Sequence, residues 1–193
     1  MILLAASAAL GQTEFSAQIS EVQQSGATAT NKIYFGTDST RIELHTGNVV
    51  IVNLVARTSS ILTPEQHSFF TGSTERIGAG TDQIYALLRP DDVENACDEW
   101  MKIKFMHTES CRKAGSEVVE GRRTVKYEGK CSGEVCYVWI DRDLRVPVRS
   151  ERKWSSSELR DIVLGALPAV LFEIPTGYIQ KFSLTGTIST KPQ

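Results

Sequence analysis

Three histidines, four cysteines and one acidic cluster are the side chains of this sequence with types suited to chemistry. His45, His67 and His107 lie far apart, with neither the H-x-x-x-H nor the H-E-x-x-H spacing that sets two imidazoles on one helical face around a metal. The run Gly78-Ala79-Gly80-Thr81 has the glycines of a phosphate loop. It lacks the preceding strand, the following helix and the Gly-Lys-Ser/Thr ending, and so reads as a connection. Asp91, Asp92, Glu94, Asp98 and Glu99 have the donor type for calcium. Carboxylates at a helix N-terminus are favoured by the helix dipole without any ion, and that is the simpler account. No nucleophile and base, no metal set and no cofactor motif emerges, so the sequence reads as a non-enzyme.

The cysteines carry more information. Cys97, Cys111, Cys131 and Cys136 make an even count, as expected of disulfides in an exported protein. In "KCSGEVCYVWID", a type II′ turn with Gly133-Glu134 at its centre makes Ser132 and Val135 the closing pair. Cys131 then faces Cys136 at a non-hydrogen-bonded position, where opposed Cα atoms lie about 4.5 Å apart, within disulfide reach. A zinc site from all four thiolates is the rival. The thirteen residues between Cys97 and Cys111 do not form a zinc knuckle.

Those groups need a scaffold. The 193 residues are 41% hydrophobic and 23% charged, enough for one sizeable core, and the formal charge of -2 gives no reason to bind nucleic acid. "EGRRTVK" and "RSERKW" alternate base with acid and read as solvated strand faces. The opening "MILLAASAALGQ" is too short to span a bilayer. Its apolar stretch and small-x-small pattern at Ala9-Leu10-Gly11 read as a truncated signal peptide over residues 1–11, followed by a single domain over 12–193, periplasmic or secreted. It lacks the basic n-region, and a buried N-terminal helix is the competing account. The apolar run has no cysteine for a lipid anchor.

From Thr13 to Phe70 apolar and polar residues alternate between turn signals, the pattern of a strand meander. "EFSAQISEV" sets Phe15, Ala17 and Ile19 on one face. The Gly36 to Ser39 cluster separates Ile33 and Phe35 from Ile42 and Leu44. "VVIVNLV" is continuously apolar and predicts a strand covered on both faces. After Arg89, Val93, Ala96, Cys97, Trp100 and Ile103 form one helical stripe, with Asp91 and Glu94 as a capping box. Cys97 lies on that stripe, so pairing it with Cys111 ties the helix to the segment leaving it. Strands resume after Gly115. Asp141-Arg142-Asp143 reads as a tight turn, and Pro147 suggests an edge strand or a missing ladder bond. About ten or eleven strands exceed what a flat sheet carries before it curls. The prediction is a mainly β (α+β) fold: one curved antiparallel sheet, an incomplete β-barrel, with a helical lid.

"VWIDRDLRVPVRSE" and "LFEIPTGY" give the chain a resemblance to the bacterial outer-membrane lipoprotein-sorting proteins, the LolA/LolB-like superfamily, and especially its exported branches. Trp139, Asp141, Pro147, Phe172, Ile174, Pro175, Gly177 and Tyr178 match its pattern, the last five as a penultimate strand ending in a corner. The resemblance implies a lidded half-barrel whose apolar cavity encloses acyl chains. It also implies an acyl chain, lipoprotein lipid or other apolar molecule as ligand, and an envelope protein as a further partner. No arginine matches the lid-latching arginine of the best-studied carriers; Arg41 is nearby in a different context. The chain reads as a monomer without a membrane-crossing segment. Candidate cavity residues are Phe15, Ile19, Ile33, Phe35, Ile42, Leu44, Val50, Val52, Leu54 and Trp100, with the parity of the 49–55 run open, since a one-residue slip exchanges the faces. Trp100 either fills core or touches ligand. The alternative function is a structural or protein-interaction module of the envelope, with a closed core.

Overall fold

The computed structural model describes residues 13–74, 83–103 and 107–183. The signal-peptide reading of residues 1–11 and the 78–81 connection lie outside the described residues. Six strands open the chain: β1 (Phe15–Gln23), β2 (Thr28–Phe35), β3 (Ser39–Glu43), β4 (Val49–Asn53), β5 (Thr58–Thr63) and β6 (Ser68–Ser73). Two short helices follow, α1 (Gln83–Leu87) and α2 (Cys97–Met101). Then come β7 (Thr108–Val119), β8 (Arg122–Cys131), β9 (Glu134–Asp141), β10 (Pro147–Arg152), β11 (Ser155–Leu164) and β12 (Ile179–Ser183).

All twelve strands belong to one sheet, in the order β12-β6-β5-β4-β3-β2-β1-β11-β10-β9-β8-β7. The sheet is curved and open, an incomplete barrel with β12 and β7 as its edges. Two meanders meet where β1 pairs with β11, and the helical segment between β6 and β7 connects the two halves. One pairing departs from the antiparallel expectation: β12 runs parallel to β6, because the chain after β11 crosses the molecule before joining that edge.

Local chemistry explains the strand ends. Glu120 and Gly121 both take positive φ (47° and 74°), the two-residue turn whose twist suits a hairpin, and they separate β7 from β8. Between β8 and β9 the turn is Ser132-Gly133 (φ 52° and 85°), not Gly133-Glu134. Cys131 therefore opposes Glu134, and Cys136 opposes Gly129. The Cys131–Cys136 bond joins diagonal neighbours with Cα atoms 5.8 Å apart, still within disulfide reach. Pro147 begins an interior strand rather than an edge. The register between β9 and β10 shifts next to it, which accommodates the missing N–H.

The helical segment is shorter and more broken than its stripe predicts. Val93–Asn95 form a 3₁₀ turn before α2. The cap is Asp92, whose carboxylate accepts the Glu94 N–H at 2.8 Å, rather than Asp91. The stripe nevertheless faces inward: Val93, Ala96 and Trp100 are buried, and Cys97 and Ile103 pack against the core. "LFEIPTGY" is not a strand. Ala169–Phe172 form a 3₁₀ turn, the backbone extends through Glu173, and Gly177 at φ 87° completes a corner that delivers the chain to β12. Proline cannot continue a ladder and glycine tolerates this φ, so the corner itself follows from the sequence.

Candidate apolar ligand site

Period-two alternation on β1 to β4 aims Phe15, Ile19, Ile33, Phe35, Ile42, Val50 and Val52 at the concave side, where all seven are buried in one cluster. Phe15 and Phe35 stack with ring centroids 4.8 Å apart. Leu44 and Leu54 are half-buried and pack against the same cluster, and Trp100 joins it from α2. The fold thus brings together all ten nominated residues. It also fixes the parity of β4: Val49 and Ile51 face the opposite side, where with Leu62 they are covered by Phe69, Ile174 and Tyr178. The corner segment is the outer cover of β4, which is why that strand is apolar on both faces.

The concave side is filled. Ile84, Tyr85, Ala86 and Leu88 from α1 and the residues after it, then Val93, Ala96 and Trp100, insert into the sheet's hollow and belong to its core cluster. Burying each large apolar side chain contributes about 1.5–3 kcal/mol, so the lid closes on the sheet chiefly through the hydrophobic effect. Sequence reading did not nominate the α1 residues, because α1 spans only five positions, too few for a 3.6-residue period to register.

Polar groups pin the lid from both walls. The Arg89 guanidinium donates to the carbonyls of Gly36 (2.8 Å) and Thr37 (3.1 Å) in the β2–β3 turn and to the Thr40 hydroxyl of β3. Burial pushes it below its ordinary value, to about 9, with Asp38 nearby opposing the shift. From the other wall, Arg145 donates to the carbonyls of Pro90 (3.1 Å) and Asp91 (2.6 Å). The segment 89–91 is therefore a strap tied at each side. Arg41, by contrast, donates to Leu171 O at 3.2 Å and holds the outer corner rather than the lid. The lid-fastening arginines are Arg89 and Arg145. Their partners are mostly backbone carbonyls, which leave no residue-type signal to find them by.

The second half of the lid is held covalently. Cys97 and Cys111 form a disulfide, Cα atoms 5.4 Å apart, between α2 and edge strand β7. Both expected pairings are present, and zinc coordination is excluded for these four sulfurs. Beneath α2, Trp100 lies so close to Gly129 that a Cβ there would meet ring carbons at 2.9 and 3.1 Å. The Tyr127 hydroxyl donates to Val93 O (2.7 Å) and accepts the Ala96 N–H (3.0 Å), which anchors the start of the helix. The Trp100 indole N–H is buried without an acceptor among the described residues, which costs about 1–3 kcal/mol when nothing serves it.

The histidines do not assemble: no group of three or more metal-binding side chains occurs among the described residues. The acidic residues at the lid are partly engaged in ion pairs, Glu94 with Arg142 and Lys113, Asp91 with Arg145. No helix of the described residues is long and apolar enough to cross a membrane. One feature outside the hollow is unusual. Between Asp161 and Glu173 the chain carries no charge, yet Val163 (64%), Leu164 (55%) and Val170 (67%) are exposed.

The class defined by this geometry is an open, curved sheet with an apolar concave side closed by a strapped and stapled lid. No protein-family model and no curated protein matches the sequence. Among solved structures, PNGF-II is similar at 11% identity over 87% of this chain, with a TM-score of 0.55. The match covers 30% of PNGF-II, so the chain spans under a third of that protein's length. The Pseudomonas aeruginosa MucA/MucB complex is similar at 17% identity, covering 82% of this chain and 54% of that one, TM-score 0.41. The LolA superfamily protein NE2245 from Nitrosomonas europaea is similar at 10% identity, covering 84% and 90%, TM-score 0.33.

Proposed function

We propose that this chain is an exported, non-enzymatic binding protein, one domain over residues 12–193, that shelters an acyl chain or similar apolar ligand in the hollow of its half-barrel. The observation that carries the reading is the continuity of the inward face. Phe15, Ile19, Ile33, Phe35, Ile42, Val50 and Val52 form one buried apolar cluster with the lid residues Tyr85, Leu88 and Trp100, and the Arg89 guanidinium stacks on the Phe35 ring. In this closed form the lid itself occupies the space. A ligand competes with it, and a chain of a dozen methylenes offers about 10 kcal/mol of gross transfer energy to set against lid displacement. Two disulfides support an oxidising, extracytoplasmic setting.

The test is native mass spectrometry and lipid extraction of protein purified from its own envelope, followed by titration with a fluorescent fatty acid. Copurifying lipid and saturable binding are expected. A lipid-free protein that fails to bind the fluorescent fatty acid would favour the second reading, an interaction module of the envelope. The exposed apolar side chains Val163, Leu164 and Val170, in a stretch without charge, support that reading, because exposed apolar surface commonly marks a contact with another macromolecule.

A further inference from the structure

The Trp100 indole lies in the filled hollow, 1% exposed, and its Nε1–H meets no acceptor among the described residues. Its neighbours in the core are served. The Tyr85 hydroxyl lies 2.8 Å from Ser157 Oγ, which lies 2.8 Å from Ser150 Oγ. Tyr127 bridges Val93 O and Ala96 N. The other buried indole, Trp139, donates to the Glu117 carboxylate at 2.7 Å. The same residue type in the same core is thus satisfied at 139 and orphaned at 100.

Buried donors are nearly always paired, and an orphan calls for a reason. Indole can only donate, so what Trp100 lacks is an oxygen. The ring is poorly placed to search for one within the protein. Its six-membered end is wedged on Gly129, and its helix is tied to β7 three residues earlier through Cys97.

We infer that Trp100 Nε1 is the hydrogen-bond donor for a carbonyl oxygen brought in by the ligand, so that the site selects acyl esters over plain hydrocarbon of equal length. A neutral acceptor fits better than a carboxylate. The lid's buried cation, Arg89, directs its donors at the β2–β3 turn carbonyls, and a carboxylate is far costlier to bury than an ester carbonyl. The inference rests on the carrier reading above: the hollow supplies affinity for the chain, and Trp100 fixes where its polar end sits.

The experiment uses the full, disulfide-bonded protein loaded with 1-N-phenylnaphthylamine, displaced by methyl laurate or by dodecane, in wild type and in Trp100→Phe. Each ligand's concentration at half displacement is compared between proteins, so differences in aqueous solubility cancel. The ester-over-hydrocarbon ratio should fall about tenfold in Trp100→Phe, the size of one buried hydrogen bond, whatever the variant does to the affinity for both ligands together. In parallel, the Trp100 indole ¹H–¹⁵N resonance of the wild type should move downfield with methyl laurate and not with dodecane. An unchanged ratio, or an indole resonance indifferent to the ester, overturns the assignment while leaving the carrier reading intact. Failure of both ligands to displace the dye overturns the carrier reading itself. If Trp100→Phe does not fold, the wild-type indole resonance decides alone.

Discussion

The guanidinium of Arg89 lies over the ring of Phe35, its central carbon 3.7 Å from the ring centroid, so one lid residue both stacks on the hollow's wall and hydrogen-bonds the turn that follows it. A planar fork suits this double task, since it can stack and donate in several directions at once. Arg89→Ala leaves the Gly36 and Thr37 carbonyls without these bonds and removes the stacking, and should lower stability by about 2–4 kcal/mol in urea unfolding. Arg89→Lys should recover less than half of that, because an ammonium is a point donor. Full recovery by lysine would show that charge alone fastens the strap.

The two disulfides close loops of different length and should weigh differently. Cys97 and Cys111 are 14 positions apart and join lid to edge strand, whereas Cys131 and Cys136 are 5 apart within one hairpin already held by its ladder. Loop-closure entropy gives about 3 kcal/mol for the first and about 2 for the second. The double serine variant at 97 and 111 should be the less stable in urea, and it alone should speed entry of 1-N-phenylnaphthylamine into the hollow. Equal dye entry for both double variants would refute the role of the first bond as the lid's staple.

Much of this arrangement is legible in the residues. Alternation places Phe15, Ile19, Ile33 and Phe35 on one face, and the 93-96-97-100-103 stripe puts Trp100 inward and Cys97 within reach of Cys111. Alternation does not say which set of 49–52 is inside. That is decided by Ile174 and Tyr178, which arrive from the far end of the chain. The expected Gly133-Glu134 turn gives way to Ser132-Gly133 for a similar reason. "CSGEVC" accommodates either a Ser132-Gly133 or a Gly133-Glu134 turn, and both keep the two sulfurs in reach. Leu171 and Phe172 look like strand because a short apolar run has no readable period. Their actual fixings are the Arg41 bond to Leu171 O and the seat of Phe172 against Gly36, both long-range contacts.

Asp141 is fully buried and organises the β9–β10 loop: its Oδ1 accepts the N–H groups of Asp143 and Leu144, each at 2.8 Å, and its carboxylate pairs with Arg122. An asparagine can keep the backbone bonds through its carbonyl oxygen but not the ion pair. Asp141→Asn should cost about 2 kcal/mol and Asp141→Ala about 3–4, the latter orphaning both N–H groups. The order of the two, measured by urea unfolding near neutral pH, is the test. If asparagine were the more harmful, the loop capping would not be what Asp141 supplies.

Two glutamates should respond to acid in opposite senses. The Leu167 N–H, 2.7 Å from Glu14 Oε2, holds that carboxyl below its ordinary value of 4.5, with the Thr37 hydroxyl adding to the effect and desolvation opposing it. A depressed folded value means that the contribution is complete above the unfolded value and is lost as pH falls through the folded one. Glu14→Gln should therefore be less stable than wild type at neutral pH, and the gap should close on acidification below 4.5. Glu158 is the reverse: burial raises it, and Arg160, 3.4 Å from Oε1 without hydrogen-bond geometry, offsets this only in part. Its native state holds the proton more tightly than the unfolded chain, so ionisation removes stability as pH rises through the folded value. Glu158→Gln should raise the midpoint of thermal unfolding at neutral pH, and the gain should vanish as pH falls below the unfolded value. Thermal scans of the three proteins from about pH 3.5 to 7.5 resolve both curves. Parallel curves for Glu14→Gln and Glu158→Gln would mean that the Leu167 hydrogen bond and the desolvation at Glu158 do not set these two titrations.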